Sequence, residues 1–302
     1  MKTIFKVFSV LAASIFMASC GEKQDPIQQP SDDQNETQKP ADKPVAKPFT
    51  FKVMSFNVKY PASSDEGDRA WSNRRTGIIE MLKAKKPDFI GVQECYISQR
   101  TYIVEQLPQY DTYGLVRDNG KESGSGETMS ILWNKDKFEK VECGTFWLSE
   151  TPDKPSKGWG AGHYRDCTWI LFKEKKTGKM FYHFNTHLDH QVALAMTNGA
   201  KLIRKKMDEI NKDGYPVVLT GDMNVEPSSD VLPHFKMNDS RTSTLDTDQF
   251  ATFTGWGSSS KIIDYVFFEG VTVWSYQTVR GPWAGYTYLS DHNPVMAEFE
   301  YE

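Results

Sequence analysis

Zinc-type ligand clusters are missing from this chain. Its 302 residues hold only 4 cysteines and 6 histidines, with no HExxH or comparable His/Cys spacing, which argues against a zinc hydrolase. Cationic excess is missing as well. Lys and Arg number 36 against 40 Asp and Glu, for a net charge of −4. A tight grip on duplex nucleic acid normally needs a basic face, so no stable nucleic-acid complex is expected. The Lys83–Lys86, Lys173–Lys179 and Arg204–Lys206 clusters read as solvated faces. No internal repeat is visible. Only one long apolar run exists, Ile4–Ala18, and it is too short to span a bilayer.

That run follows Lys2 and leads into Met17-Ala18-Ser19-Cys20. A short positive start, a brief apolar core and small residues before a cleavage point make an export signal. The ending is similar to a bacterial lipoprotein signal, with Cys20 as the lipid-bearing residue. An ordinary secretory signal with Cys20 incidental is the other reading. Residues 21–49 are dominated by Pro, Gln, Asp and Lys and cannot bury enough surface to offset their ordering entropy. They are expected to tether residues 50–302, whose length suits one large domain, to the membrane. Beyond Cys20, three cysteines remain: Cys95, Cys143 and Cys167. The odd number leaves at least one free thiol, with a Cys143–Cys167 bridge open in an oxidising compartment.

Periodicity then supplies the elements. Phe51–Val58 alternates like a strand. Trp71, Ile78, Ile79 and Leu82 recur at helical spacing up to Pro87. Asp88–Glu94 is a short apolar strand, and Tyr96–Leu107 a second helix. Strands are expected over Thr128–Trp133, Lys140–Leu148, Cys167–Lys173 and Lys179–Thr186. A long amphipathic helix covers Val192–Ile210, and a buried strand Val217–Thr220. The closing strands are Ile262–Glu269, Val271–Tyr276 and Pro294–Tyr301. Strands mixed with helices, many joined by hairpins, predict an α/β fold of two packed mixed sheets with helices outside.

Polar residues fall where core strands do not want them. Asn57 and Glu94 close the first two strands, and buried carboxylates are costly unless paired or metal-bound. Gly221-Asp222-Met223-Asn224 follows a buried strand, and residues two apart in an extended segment share a side. Asp264 lies in an apolar run and needs a partner, for which His292 is the natural candidate. Asp291 would face the other side of the chain as a metal ligand. His187, Asp189 and His190 cluster after another strand, and Glu127 is placed to hydrogen-bond His187 and fix its tautomer. Asp264 and Asp291 come at strand beginnings, so they join the rest only if their strands run antiparallel to their neighbours.

Taken together, MSFNV (54–58), VQE (92–94), NTHLDH (185–190), GDMN (221–224), IDYVF (263–267) and SDHNPV (290–295) resemble the endonuclease/exonuclease/phosphatase superfamily. They stand in that family's order and cover essentially all of residues 50–302. The stretches Gly144–Pro152 and Arg165…Thr168-Trp169 are similar to its exported bacterial branch. The resemblance implies the four-layer DNase I-like fold and a metal-dependent phosphoric ester hydrolase. Asn57, Glu94 and Asp291 would hold Mg²⁺, with Mn²⁺ as a substitute, since hard oxygen donors suit such ions. Asp222 and Asn224 would orient water and bind phosphate or a second metal. His292, paired with Asp264, would be base or phosphate ligand, and His187, supported by Glu127, would aid the leaving group. Arg165, Asn224 and Asp189 would contact substrate. His163-Tyr164 before Arg165, where relatives often carry Pro, and Asn198-Gly199 in a usually more basic helix depart from the pattern and bear on substrate choice.

The implied substrate is a phosphate monoester or diester, acted on by a monomer on a lipid anchor at the periplasmic or cell-surface side. A sphingomyelinase-like phosphodiesterase and a non-catalytic glycan-binding lipoprotein are the alternatives. Loop aromatics Trp159, Trp256, Trp283, Tyr286 and Tyr288 would stack on a base or sugar, dip into lipid, or pack their own loops.

Overall fold

Two β–α–β crossovers organise the chain. The computed structural model describes residues 48–302; the signal segment 1–20 with Cys20, and the tether up to residue 47, lie outside the described residues. β1 (Phe49–Asn57) crosses through α1 (Trp71–Lys85) to β2 (Phe89–Gln93), which is parallel to it. β3 (Cys95–Tyr96), α2 (Ile97–Gln106), β4 (Tyr110–Tyr113), β5 (Glu127–Thr128), β6 (Ile131–Asn134), β7 (Phe138–Trp147) and β8 (Asp166–Glu174) follow. β9 (Met180–His187) then crosses through α3 (Ala193–Ile210) to its parallel partner β10 (Val217–Asp222). β11 (Asn238–Asp239), β12 (Asp264–Glu269), β13 (Thr272–Thr278) and β14 (Val295–Tyr301) complete the chain.

The strands form two six-stranded mixed sheets, ordered β13-β14-β1-β2-β6-β4 and β11-β12-β10-β9-β8-β7, beside a β3-β5 ribbon. Each sheet holds one parallel pair, flanked on both sides by antiparallel neighbours. The repeat invisible in the sequence is therefore present in the topology. Ligand sites of such sheets lie beyond the carboxyl ends of parallel strands. Here those ends carry Asn57, Gln93-Glu94, His187 and Asp222.

Apolar side chains on both faces of the central strands make a four-layer stack. Phe51, Val53, Phe89, Phe181, Val218 and Val266 fill the space between the sheets. Met54, Phe56, Ile90 and Val92 turn outward to Ile78 and Leu82 of α1 and Ile103 of α2. Tyr182, Phe184 and Leu219 meet Ala200, Ile203 and Met207 of α3. Near the site end the sheets touch through polar groups instead. Gln93 Nε2 donates to Asn185 Oδ1 at 2.7 Å, and Asn185 Nδ2 donates to the Val92 and Ser130 carbonyls. Gly91 makes this approach available, since a Cβ there would lie 2.0 Å from Thr220 Oγ1.

Three expectations change. The single strand Thr128–Trp133 is two, β5 and β6, in different sheets, with strand pairing interrupted at Met129-Ser130. β4 was not expected, since Tyr-Asp-Thr-Tyr shows no apolar alternation. Cys95, Cys143 and Cys167 are all free thiols. Cys143 packs against the inter-sheet core and Cys167 inside the α3-side core, so β7 and β8 carry them on opposite faces of one sheet.

Candidate active site

The cleft that these strand ends enclose holds about 550 Å³ and is lined by Glu94, Asp222, Asn224, His187, Asp291 and His292, among others. β12 is antiparallel to β10, and β14 to β1, so the strand beginnings that carry Asp264 and Asp291-His292 reach the same rim.

On one side, Glu94 and Asp291 face each other across Lys59. Glu94 takes a left-handed backbone conformation, φ 54°, which a non-glycine residue adopts at a conformational penalty and which concentrates at functional positions. Its Oε2 is buried without a hydrogen-bond partner. Lys59 Nζ stands 3.5 Å from that oxygen and 4.0 Å from Asp291 Oδ2, a cation where two oxygens converge. Burial opposes ionisation of Glu94, yet Lys59, His292 and the Asn57 amide together hold its pKa below the usual range. Two carboxylates, one with an orphaned oxygen and both facing an ammonium, fit a hard divalent cation. Asn57 differs from the expected simple ligand. Its Oδ1 accepts the Lys59 amide N–H, and its Nδ2 donates to Glu94 Oε1 at 3.2 Å and Asp222 Oδ2 at 3.0 Å. It ties the carboxylates together and keeps one oxygen lone pair for a cation.

Deeper in, His292 Nδ1 bonds Asp264 Oδ2 at 2.9 Å, with Nε2 3.7 Å from Asp222 Oδ2. Burial would lower the imidazole pKa, but Asp264 and Asp222 raise it to about 10. Asp222, Asp264 and His292 bring one potential ligand atom each within 4.8 Å of one another. In the structure this trio forms an ion-paired network, and it offers a second candidate cation site beside Glu94 and Asp291. Burial, then the Asp264 charge, raises the Asp222 pKa. Asp222 Oδ1 accepts the Asn224 amide N–H, and Asn224 has φ 53°. Their convergence thus comes from a turn after β10 and not from strand alternation. Asn224 Nδ2 donates to the Leu188 carbonyl.

His187 Nε2 lies 3.4 Å from Asp222 Oδ2. Burial, with Arg165 and Arg117, lowers its pKa well below the usual range, so it is neutral. The expected Glu127–His187 hydrogen bond is not made. His187 Nδ1 has no partner, and Glu127 Oε1 instead accepts from Arg117 Nη2 at 2.7 Å. Asp189 is also not where expected. It does not line the cleft, and its Oδ1 accepts the Gln191 and Val192 amides at the start of α3. Its Oδ2 lies 3.9 Å from Arg165 Nε. Arg165 does line the cleft and donates to His190 Nδ1 at 3.0 Å.

Several site residues escaped the sequence reading. Arg74 is fully buried and donates to the Val58, Lys59, Leu289 and Arg69 carbonyls. It thereby pins the loop after β1 to the loop before β14. Its place in the apolar stripe, three residues after Trp71 and four before Ile78, was the available signal. Lys59, Arg117, Tyr60 and Phe253 also line the cleft, with no pattern to mark them. Of the loop aromatics, Trp159, Trp283 and Tyr286 pack on cores and Trp256 covers Arg74, so loop packing accounts for these four; Tyr288 lies beside Gly257, and none of the five lines the cleft.

The sequence model of the Endonuclease/Exonuclease/phosphatase family matches residues 54–292. The chain belongs to that family. A solved member from Bacteroides thetaiotaomicron is 36% identical with a TM-score of 0.74, covering 85% of this chain and 99% of that one. The mannosyl-6-phosphatase of Bacteroides thetaiotaomicron is likewise 36% identical, with a TM-score of 0.76 over 82% of this chain and 99% of that one. An uncharacterised protein of Acanthamoeba polyphaga mimivirus is 32% identical over 163 residues, 52% of this chain and 60% of its own length. Members of the family are phosphoesterases, and the two-sheet architecture is their DNase I-like fold.

Proposed function

We propose that this chain hydrolyses phosphate esters with a divalent cation, Mg²⁺ first and Mn²⁺ as a substitute, held by Glu94, Asp291 and the Asn57 oxygen. The observation that carries the reading is the meeting of an orphaned carboxylate oxygen on Glu94 with the Asp222–His292–Asp264 network in one cleft. When bound, the cation neutralises charge on the phosphoryl group.

The remaining chemistry belongs to side chains. Water oxygen attacks phosphorus, the bond to the leaving oxygen breaks, the water proton passes to Asp222, and the leaving oxygen takes a proton from solvent water in the open cleft, after which Asp222 returns its proton to solvent. Asp222 suits the base role because burial and Asp264 raise its proton affinity. His292 is cationic and donates from Nε2 to a phosphoryl oxygen, while Asp264 fixes its ring. His187 is neutral and lies beside Asp222, placed to steady charge on the leaving oxygen. Asn224, in its turn, offers the phosphate a further polar contact.

Similarity to a mannosyl-6-phosphatase supports a phosphorylated sugar as the first substrate class to test. The signal reading of residues 1–20 supports an exported enzyme, lipid-anchored through Cys20. The test uses purified residues 48–302 with Mg²⁺ on sugar phosphates, nucleotides, oligonucleotides, inositol phosphates and phospholipids. Cleavage should vanish in chelator and return with Mg²⁺. His292→Ala and Asp222→Ala should each lower kcat by about 10²–10⁴-fold with the fold retained. Undiminished turnover in chelator, or near-normal rates in both variants, rejects the mechanism.

A further inference from the structure

The wall of the cleft on the β5 and β8 side carries two arginines whose donors are mostly unspent. Arg117 and Arg165 are 7% and 5% exposed, yet both line the cleft. Arg117 Nη2 donates to Glu127, and Arg165 Nη2 to His190 Nδ1. Nε and Nη1 of both side chains have no hydrogen-bond acceptor. Buried guanidinium donors without acceptors are unfavourable, and their fork matches phosphate oxygens.

The wall is fixed in place before any ligand arrives. The Arg117 amide donates to the Glu127 carbonyl, the Trp147 indole donates to the Arg117 carbonyl at 2.6 Å, and the Leu148 amide donates to the Arg165 carbonyl at 2.7 Å. Carboxylates offset the pair only in part. Glu127 occupies one Arg117 donor, the exposed Asp118 carboxylate stays 3.7 Å from Arg117 Nε, and Asp189 stays 3.9 Å from Arg165. Asp166 lies buried behind, and burial pushes its pKa up to about 7, so it is not a full counter-charge. Both guanidiniums also act on His187, which stands 3.4 Å from Asp222. The arginine wall and the reacting side therefore face one small space.

We propose that Arg117, acting with Arg165, binds the terminal oxygens of a phosphate monoester dianion and so makes the enzyme select monoesters over diesters. This rests on the phosphoesterase reading above. A monoester offers three non-bridging oxygens and two charges: one oxygen serves the carboxylate–cation side and the others meet the unspent arginine donors. A diester offers two such oxygens and one charge. Its second ester arm would lie against the guanidiniums and leave donors unpaired.

The experiment compares p-nitrophenyl phosphate with bis(p-nitrophenyl) phosphate in Mg²⁺, for wild type, Arg117→Gln and Arg117→Lys. Calorimetric titration with inorganic phosphate and a melting curve accompany each protein. Wild type should prefer the monoester. In Arg117→Gln the monoester-to-diester ratio of kcat/KM should fall by about 10–100-fold, with inorganic phosphate bound correspondingly weaker. Arg117→Lys should fall between the two, because it keeps the charge and loses the fork. It also carries the comparison if Arg117→Gln does not fold. Wild type cleaving both esters equally, or a ratio unchanged in the variants, overturns the selectivity while leaving the phosphoesterase reading intact. If wild type cleaves neither ester, that reading has failed at these substrates. Phosphate titration then decides the subsite, with equal binding by wild type and variants overturning it.

Discussion

His292 Nδ1 and Asp264 Oδ2 lie 2.9 Å apart, both buried, joining the segment before β14 in one sheet to the first residue of β12 in the other. The pair fixes the imidazole ring and holds it cationic. Replacing the carboxylate with an amide of the same shape removes the charge and keeps the volume. Asp264→Asn should therefore lower kcat by about 10²–10⁴-fold, while Mn²⁺ binding by calorimetry stays close to wild type. A variant with wild-type kcat would show that His292 needs no such partner.

Arg74 holds four carbonyls from three segments, two of which carry the cation-side residues. Arg74→Met fills much of the space but leaves buried carbonyls unpaired, at about 1–3 kcal/mol each. Urea unfolding should lose about 3 kcal/mol or more, and divalent-ion affinity should weaken with it. Unchanged stability would mean that water or a shifted loop satisfies those carbonyls.

Asp166 gives a stability prediction with a definite sign. Burial raises its folded-state pKa to about 7 from an ordinary 3.8. Between these values the folded chain holds a proton there that the unfolded chain has released. Stability from this group is thus present at low pH and declines as pH rises from about 4 to 7. Thermal melting of wild type and Asp166→Asn across that range should show the variant gaining relative stability with pH. A constant difference between the two curves would contradict the raised pKa.

Lipid attachment is tested at the sequence level. Radiolabelled palmitate fed to an expressing bacterium should enter wild type and not Cys20→Ala, and the variant should leave the membrane fraction. Equal labelling of both would remove the lipoprotein reading and leave the ordinary secretory one.

The sequence by itself determined most of the element order, the two-sheet class and the identity of half of the cleft residues. Alternation in Phe51–Val58 and helical spacing from Trp71 to Leu82 reflect burial periodicities that any packed core imposes on its own segment. Asn57, Glu94, Asp222 and Asp264 stood out against the apolar strands they end or begin, and Asp291 and His292 through the SDHNP motif and the need of Asp264 for a partner. Tertiary structure alone decided who pairs with whom. Glu127 met Arg117 and not His187, Asp189 turned to the α3 amides, and Lys59 came to rest between Glu94 and Asp291. Arg74 carried a sign of burial in its place on the Trp71–Ile78 stripe but none of its partners, and Arg117, in a loop, carried neither. Their partners are carbonyls and carboxylates brought near by the packing of two sheets, and pairings of that kind depend on distances of a few ångströms that residue order does not encode.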